Sequence, residues 1–590
     1  MVIIDAEVYT NYFLLAAKSI ESGNVVLFEM YPGKELNKRG LMQLMNTRTT
    51  VSFNGINYDL PIIAAALQGC DNETIKKLSD KIILSGQPSW AICRDWEINV
   101  PNKWDHIDLF EVAPGKSSLK IYGGRLNAPK MQDLPIEPDA IITPEQREEL
   151  RTYCVNDLDT TIMLYQALEK QVELRAKMSE QYGMDLRSKS DAQIAETVIK
   201  SELTKLTGKD YYKPDDKRNE FSYIDPQIIS FETEQLQKVF ARILKTRFEL
   251  GGNGAVKMPD WLKATKIKLG HSEYQMGIGG LHSCEKSQYL SADDNTLICD
   301  LDVASYYPNI ILQQQLAPKS MGIPFLRVYQ SIVERRLAAK KAGDKVTADT
   351  LKISVNGSFG KLGSKYSALY APDLLIQTTV TGQLALLMLI ERMESAGISV
   401  RSANTDGIVM QCPRALEQTM EQVAFEWMLD TSYELERTDY KAVASRDVNS
   451  YVAVKLDGSA KGKGCFAPPS LGKNPDLPIV YKAVAKRIAD GTPIEQTIKT
   501  CDDMTQFVTV RRVQGGAVWR GEYVGKAVRF YYSREVASDE CIHYAKNDNR
   551  VPKSAGAKPL MQLPDKLPSD IDYRAYIVEA EKLLCEVGYA

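Results

Sequence analysis

The chain has 590 residues, 44% hydrophobic and 25% charged, with a formal net charge of −3. This length exceeds what one hydrophobic core sustains and implies several domains of ordinary soluble composition. No apolar run reads as membrane-spanning. Met1-Val2-Ile3-Ile4-Asp5 lacks a secretory pattern, and ten cysteines without a C-x-x-C pair, beside four dispersed histidines, argue against a disulfide framework or zinc site. A cytoplasmic protein with no membrane partner is expected.

The chain opens with strand text: Val2-Ile3-Ile4, Tyr12-Phe13-Leu14-Leu15, then Val25-Val26-Leu27-Phe28. Helical text follows over 60–67 and a polar helix over 143–170, so an α/β domain is expected to about residue 185. The polar stretch 187–222 reads as a connection with some helix. Helical periodicity returns over 233–250, with Gly251-Gly252 as its expected stop. Residues 270–465 are richer in strand text, including Leu297-Ile298-Cys299, Ile408-Val409-Met410 and Tyr451-Val452-Ala453-Val454. Two helices, 326–342 and 346–358, interrupt it and are joined by Gly343-Asp344-Lys345 as an antiparallel hairpin. Over 457–562, 17 Lys+Arg stand against 11 Asp+Glu, a local +6 that suits either a phosphate backbone or a solvated basic face.

Acidic residues fall into two sets. In the first, Asp5 and Glu7 alternate on a strand and share one face. Asp59 ends Asn54-Gly55-Ile56-Asn57-Tyr58-Asp59 before an apolar helix, and Tyr153-Cys154-Val155-Asn156-Asp157 lies on the late helix. Hard divalent cations take oxygen ligands, and two-metal hydrolysis needs several carboxylates converging on one point. Tyr153, one turn from Asp157, is placed to orient an attacking water. Asp108, in His106-Ile107-Asp108-Leu109, reads as structural.

The second set begins with Asp300-Leu301-Asp302-Val303-Ala304-Ser305-Tyr306-Tyr307-Pro308 after an apolar strand. Arg336 and Lys340 share one helix face, as do Lys352 and Asn356 on the next helix. Three cations on facing helices suit a triphosphate. Asn404-Thr405-Asp406-Gly407 then forms a polar tip between two strand-like runs, a hairpin turn.

In this order the first set resembles the three exonuclease motifs of the RNase H-like proofreading domains of DNA polymerases. The second resembles family B DNA polymerases. Residues 302–308 match D-x-x-S-L-Y-P with Tyr306 for Leu, and 352–360 match K-x-x-x-N-S-x-Y-G with Gly357 and Phe359 as departures. Residues 404–407 match D-T-D-S with Asn404 for the first Asp, and Asn449 stands for Lys in K-x-Y before Tyr451. Residues 274–280 resemble the Y-x-G-G/A linker motif.

The resemblance implies a multidomain α/β and α+β chain, an RNase H-like exonuclease domain joined to a right-hand polymerase. Its parts are the exonuclease (1–190), a connection and start of the palm (191–285), palm (286–320 and 363–465), fingers hairpin (321–362) and thumb (466–590). It implies Asp5, Glu7, Asp59, Asp157 and Tyr153 as nuclease residues, with Asp302 and Asp406 as polymerase acids. The metal positions are those acids together with Val303. Ser305, Tyr307, Arg336, Lys340, Lys352 and Asn356 face the nucleotide, Tyr307 lying under its sugar. Asn54, Asn404, Thr405, Tyr451, Lys461 and Lys463 face DNA. Two Mg²⁺ ions per site are implied, with Mn²⁺ as a substitute. The partners are primer–template DNA and deoxynucleoside triphosphates.

A nuclease motif starting at Asp5 suggests a compact bacteriophage-type enzyme, monomeric and active in the host cytoplasm. The 50 residues from Asp302 to Lys352 leave no room for a terminal-protein insertion, so priming from an ordinary 3′-hydroxyl is expected. Two alternatives remain at this point. One is a nuclease whose weakened polymerase half clamps DNA, and the other is a non-catalytic nucleic-acid binder.

Overall fold

Three apolar segments separated by short turns pair as an antiparallel meander: β1 (Val2–Tyr9), β2 (Tyr12–Ser19) and β3 (Val25–Met30). The computed structural model describes residues 1–589. Two short strands, β4 (Thr50–Ser52) and β5 (His106–Asp108), add in parallel on the other side, giving the order β3-β2-β1-β4-β5. Central β1 is covered on both faces. Ile4, Ala6 and Val8 share a core with Ile62 and Ile63 of the Asp59–Gln68 helix. Ile3 and Tyr9 share another with Leu150, Cys154 and Leu158 of the Pro144–Tyr182 helix. Asp5 and Glu7, between Ile3 and Tyr9, therefore face that long helix.

The long helix is set at its start by a capping box between Thr143 and Gln146 with proline at the first turn, and stopped by left-handed Gly183. It runs twelve residues past the expected end at 170, because Val172, Arg175 and Met178 continue its buried stripe.

The chain forms two compact units. One holds Met1–Ser190, Pro469–Ile479 and Cys501–Tyr576, and the other Asp191–Pro468, Val480–Thr500 and Ile577–Ala590. The stretch 466–590, expected as one thumb, is thus divided between them. In the first unit the hairpin Thr509–Trp519 and Glu522–Tyr532 packs Val510 and Ala527 against Ile121 and Met131. Fully buried Arg529 donates to the Ala128 and Leu560 carbonyls at 2.9 and 2.8 Å.

The second unit is built on a ten-stranded sheet. At its centre lie, side by side, Leu435–Asp447, Thr296–Val303, Gly407–Pro413 and Ser399–Asn404. Behind them runs the 24-residue helix Pro372–Ser395, long and apolar enough by composition to cross a membrane, contrary to the sequence reading. Threonines and glutamines break up its apolar text; here they are buried, and Thr379 returns its hydroxyl to the Leu375 carbonyl at 3.0 Å. Most of this helix is core: 83% of its most apolar stretch is buried.

A second correction concerns the helix expected over 233–250. It spans Glu234–Leu244, and Arg247–Glu249 is a strand paired with Glu220–Ser222. Phe248 opposite Phe221, both buried, overrides local helical preference. The expected helical hairpin is present as Ile323–Lys341 and Lys345–Leu362, its second helix capped by Asp344 accepting from the Thr347 amide. The polar connection after 187 contains a third helix, Asp191–Thr207, packed on that hairpin. Gly357 explains itself here: a Cβ would come within 2.8 Å of the Ala195 Cβ and of the Asp191 carbonyl.

Glu29 on β3 is 4% exposed and bonds Lys34 (2.6 Å), Arg151 (2.8 Å) and the Tyr12 hydroxyl (2.7 Å). Burial alone would raise its pKa; the three donors outweigh it and hold the carboxyl at about 2, below the ordinary 4.5. Stability from this group is complete above pH 4.5 and is lost as pH falls from there toward 2. Urea midpoints measured from pH 6 to pH 3.5 should fall more steeply for wild type than for Glu29→Gln; parallel curves would remove this contribution.

Candidate active sites

In the first unit, β1 presents Asp5 and Glu7 toward the long helix, which brings Tyr153, Cys154 and Asp157. Asp59 is pinned beside them because its carboxylate accepts from the Ala6 amide at 3.0 Å. The preceding loop is shaped by Asp108, which accepts from the amides of Asn54 (2.8 Å), Ile56 (3.0 Å) and Phe110 (2.9 Å). Asp108 therefore organises the loop that delivers Asp59 and Asn54, whose φ is 68°. Donor atoms of Asp5, Glu7 and Cys154 all lie within 4.8 Å of one another. Cys154, given no role in the sequence analysis, sits 3.5 Å from the Asp5 carboxylate.

Two carboxylates 4.8 Å apart repel by roughly 3 kcal/mol at an effective dielectric of about 20. Burial, then Asp157, pushes Asp5 up to about 7 against the pull of Lys120. Burial, then Asp5, raises Glu7 and Asp59 well above the carboxylate range. Asp157 is also raised by burial, while Lys120, at 2.6 Å, opposes. Lys120 further lies 4.2 Å from the centre of the Tyr153 ring. The sequence reading missed this lysine. Its one signal was a charge immediately before the buried Ile121-Tyr122-Gly123-Gly124 text of the same helix.

In the second unit, Asp300 and Asp302 share a face of Thr296–Val303. Asp302 pairs in register with Gly407, and a Cβ there would overlap the Asp302 carboxylate. Asp406 occupies the turn between Ser399–Asn404 and Gly407–Pro413, where Thr405 takes φ 57°. The Val303 amide donates to the Asp406 carbonyl at 2.7 Å, locking turn to strand, and the Thr405 amide donates to Leu281 at 2.8 Å. Asn404 donates its amide to the Val448 carbonyl at 3.4 Å.

These residues line a cavity of about 170 Å³. Asp300, Asp302, Asn404, Asp406, Tyr451, Lys461 and Lys463 all border it. Desolvation by its walls raises Asp302 and Asp406; Asp406 adds to the effect on Asp302, and Lys463 opposes both. Asp300 is pushed up to about 7 by burial and then by Asp302, with Tyr440, Lys461 and Lys463 opposing. The two lysines and Tyr451, expected against DNA, thus stand beside the acids.

Ser305, at φ 47°, turns the chain into the Tyr306–Gln313 helix. Tyr306 fills the core, its hydroxyl on the Gly382 carbonyl. Tyr307 stacks on Phe359 (centroids 4.5 Å, 28°), and its hydroxyl donates to the Gly279 carbonyl. Phe359 shares a helix face with Lys352 and Asn356, both exposed, so that face borders Tyr307. Among the described residues, Arg336, Lys340 and Lys352 have no carboxylate within 4.0 Å, whereas neighbouring Arg335 pairs with Glu202 at 3.6 Å.

Oxygen-rich, mutually repelling donors fit a hard divalent cation at both places. In the first unit these are Asp5, Glu7, Asp59 and Asp157; in the second they are Asp302 and Asp406.

No protein-family model and no curated protein matches the chain. The solved structure of the family B DNA polymerase from the hyperthermophilic archaeon Pyrobaculum calidifontis is similar at a TM-score of 0.42 and 14% identity, over 99% of this chain and 77% of that one. At that level the likeness assigns neither family nor activity.

If the acids of the first unit hold a cation, Mn²⁺ should slow amide hydrogen exchange in β1 and around Cys154 in wild type. Asp5→Asn should lose most of that protection. Equal exchange with and without Mn²⁺ in wild type would rule the site out.

Proposed function

We propose that the chain is a DNA-directed DNA polymerase of the family B type with a 3′–5′ proofreading nuclease. The observation that carries this reading is the second-unit site. Asp302 and Asp406 meet across one strand pair at a cavity lined by Lys461 and Lys463, and the helix that follows the acid strand touches the helical hairpin through the Tyr307–Phe359 stack. The acid cluster on β1 supports the nuclease half. Asp300, Asp302, Asp406 and the lysines belong to the palm, and the helical hairpin to the fingers.

Bound at these acids, divalent cations (Mg²⁺, or Mn²⁺ in its place) would activate the attacking oxygen and stabilise charge on the phosphate. The chain's own residues supply the rest. Arg336, Lys340 and Lys352 neutralise and position a triphosphate, with Asn356 on the same face as Lys352. Tyr307, fixed by Phe359 and Gly279, offers a rigid ring beneath the sugar that leaves no space for a 2′-hydroxyl. Lys461, Lys463 and Tyr451 hold the primer end. In the nuclease, Lys120 balances Asp157 and keeps Tyr153 in place to orient water.

On this reading the substrates are primer–template DNA and deoxynucleoside triphosphates. Priming uses a 3′-hydroxyl without a terminal protein, and a compact phage-type monomer works in the host cytoplasm. Asn404 alone favours a rival, a nuclease with a DNA-clamping second half.

Asp302→Ala and Asp406→Ala should reduce nucleotide incorporation to background while 3′ degradation persists. Asp5→Ala and Asp59→Ala should do the reverse. Incorporation surviving Asp406→Ala would refute the polymerase assignment and leave the clamp. Tyr307→Ala should raise ribonucleotide incorporation relative to deoxyribonucleotide by roughly tenfold or more; an unchanged ratio would reject the sugar contact.

A further inference from the structure

Asn404 brings no charge to the turn where the resemblance led to an acid, yet two carboxylates besides Asp302 and Asp406 line the cavity: Glu285, which the Ser283 hydroxyl holds, and Asp300. Asp300 lies two residues before Asp302 on the same strand face and lines the same space. It is 9% exposed. Among the described residues its one hydrogen bond is a long one, from the Tyr440 hydroxyl at 3.3 Å, and no lysine or arginine nitrogen lies within 4.0 Å. Its register partners on the two flanking strands, Val409 and Thr438, carry no charge.

A carboxylate buried without a paired cation is unfavourable, and a structural acceptor for Tyr440 does not require one. Asparagine would accept the same bond. What a charge at 300 does supply is negative potential inside the cavity, beside Asp302 and opposite Lys461 and Lys463.

We propose that Asp300 provides the third negative charge of the polymerase site, taking over from residue 404, and acts as a positioning residue that strengthens cation holding at Asp302 and Asp406. This rests on the polymerase reading. It gives the site an acid on the strand, beside Asp302, where the turn itself carries the uncharged Asn404.

The test uses the full chain with Asp5→Ala, Glu7→Ala, Asp59→Ala and Asp157→Ala, so that the nuclease acids bind no ion. In that background wild type, D300N, N404D and D300N/N404D are compared with primer–template present. Mn²⁺ binding is read by electron paramagnetic resonance, and the Mg²⁺ concentration for half-maximal incorporation is measured in parallel. D300N should raise both midpoints by roughly tenfold, with an unchanged melting temperature, and N404D in the same chain should bring them back to near wild type.

D300N titrating like wild type would overturn the proposal. A loss that N404D does not restore would overturn the exchange of charge between the two positions. Absence of incorporation by wild type would instead overturn the polymerase reading itself, and the Mn²⁺ titration distinguishes that outcome.

Discussion

Carboxylates held close together, away from bulk water, repel one another, and little in the protein itself offsets that repulsion. This constraint organises both sites. In the first unit it falls on Asp5, Glu7, Asp59 and Asp157, whose protons are all held more tightly than usual, with Lys120 as the close cation among the described residues. In the second it falls on Asp300, Asp302 and Asp406. The surrounding structure keeps the acids from moving apart. Asp108 clamps the loop before Asp59, and the Val303–Asp406 bond clamps the turn. Gly407 leaves room for the Asp302 carboxylate where any side chain would displace it.

The same economy extends to the helical hairpin. Tyr307 joins the helix after the acid strand to the hairpin, because its ring meets Phe359 while its hydroxyl holds the Gly277-Ile278-Gly279-Gly280 segment. That segment is in turn fixed to the core helix, Gln383 bonding both the amide and the carbonyl of Gly277 at 2.8 Å. The departures at Phe359 and Gly357 fit this packing: a ring without a hydroxyl stacks on Tyr307, and a missing side chain lets the Asp191–Thr207 helix approach.

Much of each site was legible because it is local. Period-two spacing put Asp5 with Glu7 on one face, and the polar tip at 404–407 read directly as a turn. What was not legible depends on tertiary partners. Lys120 comes from a seven-residue helix that gives no charge pattern, and it matters because Asp157 happens to lie within reach. Asp300 was read as part of a motif but given no role, since its burial and lack of a cation partner appear only when the sheet is assembled. Arg247–Glu249 looked helical until Phe221 claimed Phe248. The Asp191–Thr207 helix was expected only as some helix within a polar connection, because the face it buries is narrow, made by Ile194, Ala195, Val198, Ile199 and Leu203.

The central claim, that one chain both extends and trims a DNA 3′ end, is tested most directly by one labelled primer with a mismatched 3′ end annealed to its template. With divalent cation and no nucleotides, the primer should shorten. With deoxynucleoside triphosphates added, it should shorten past the mismatch and then lengthen to the template end. Shortening that continues unaffected by nucleotides would contradict the account and leave a nuclease alone.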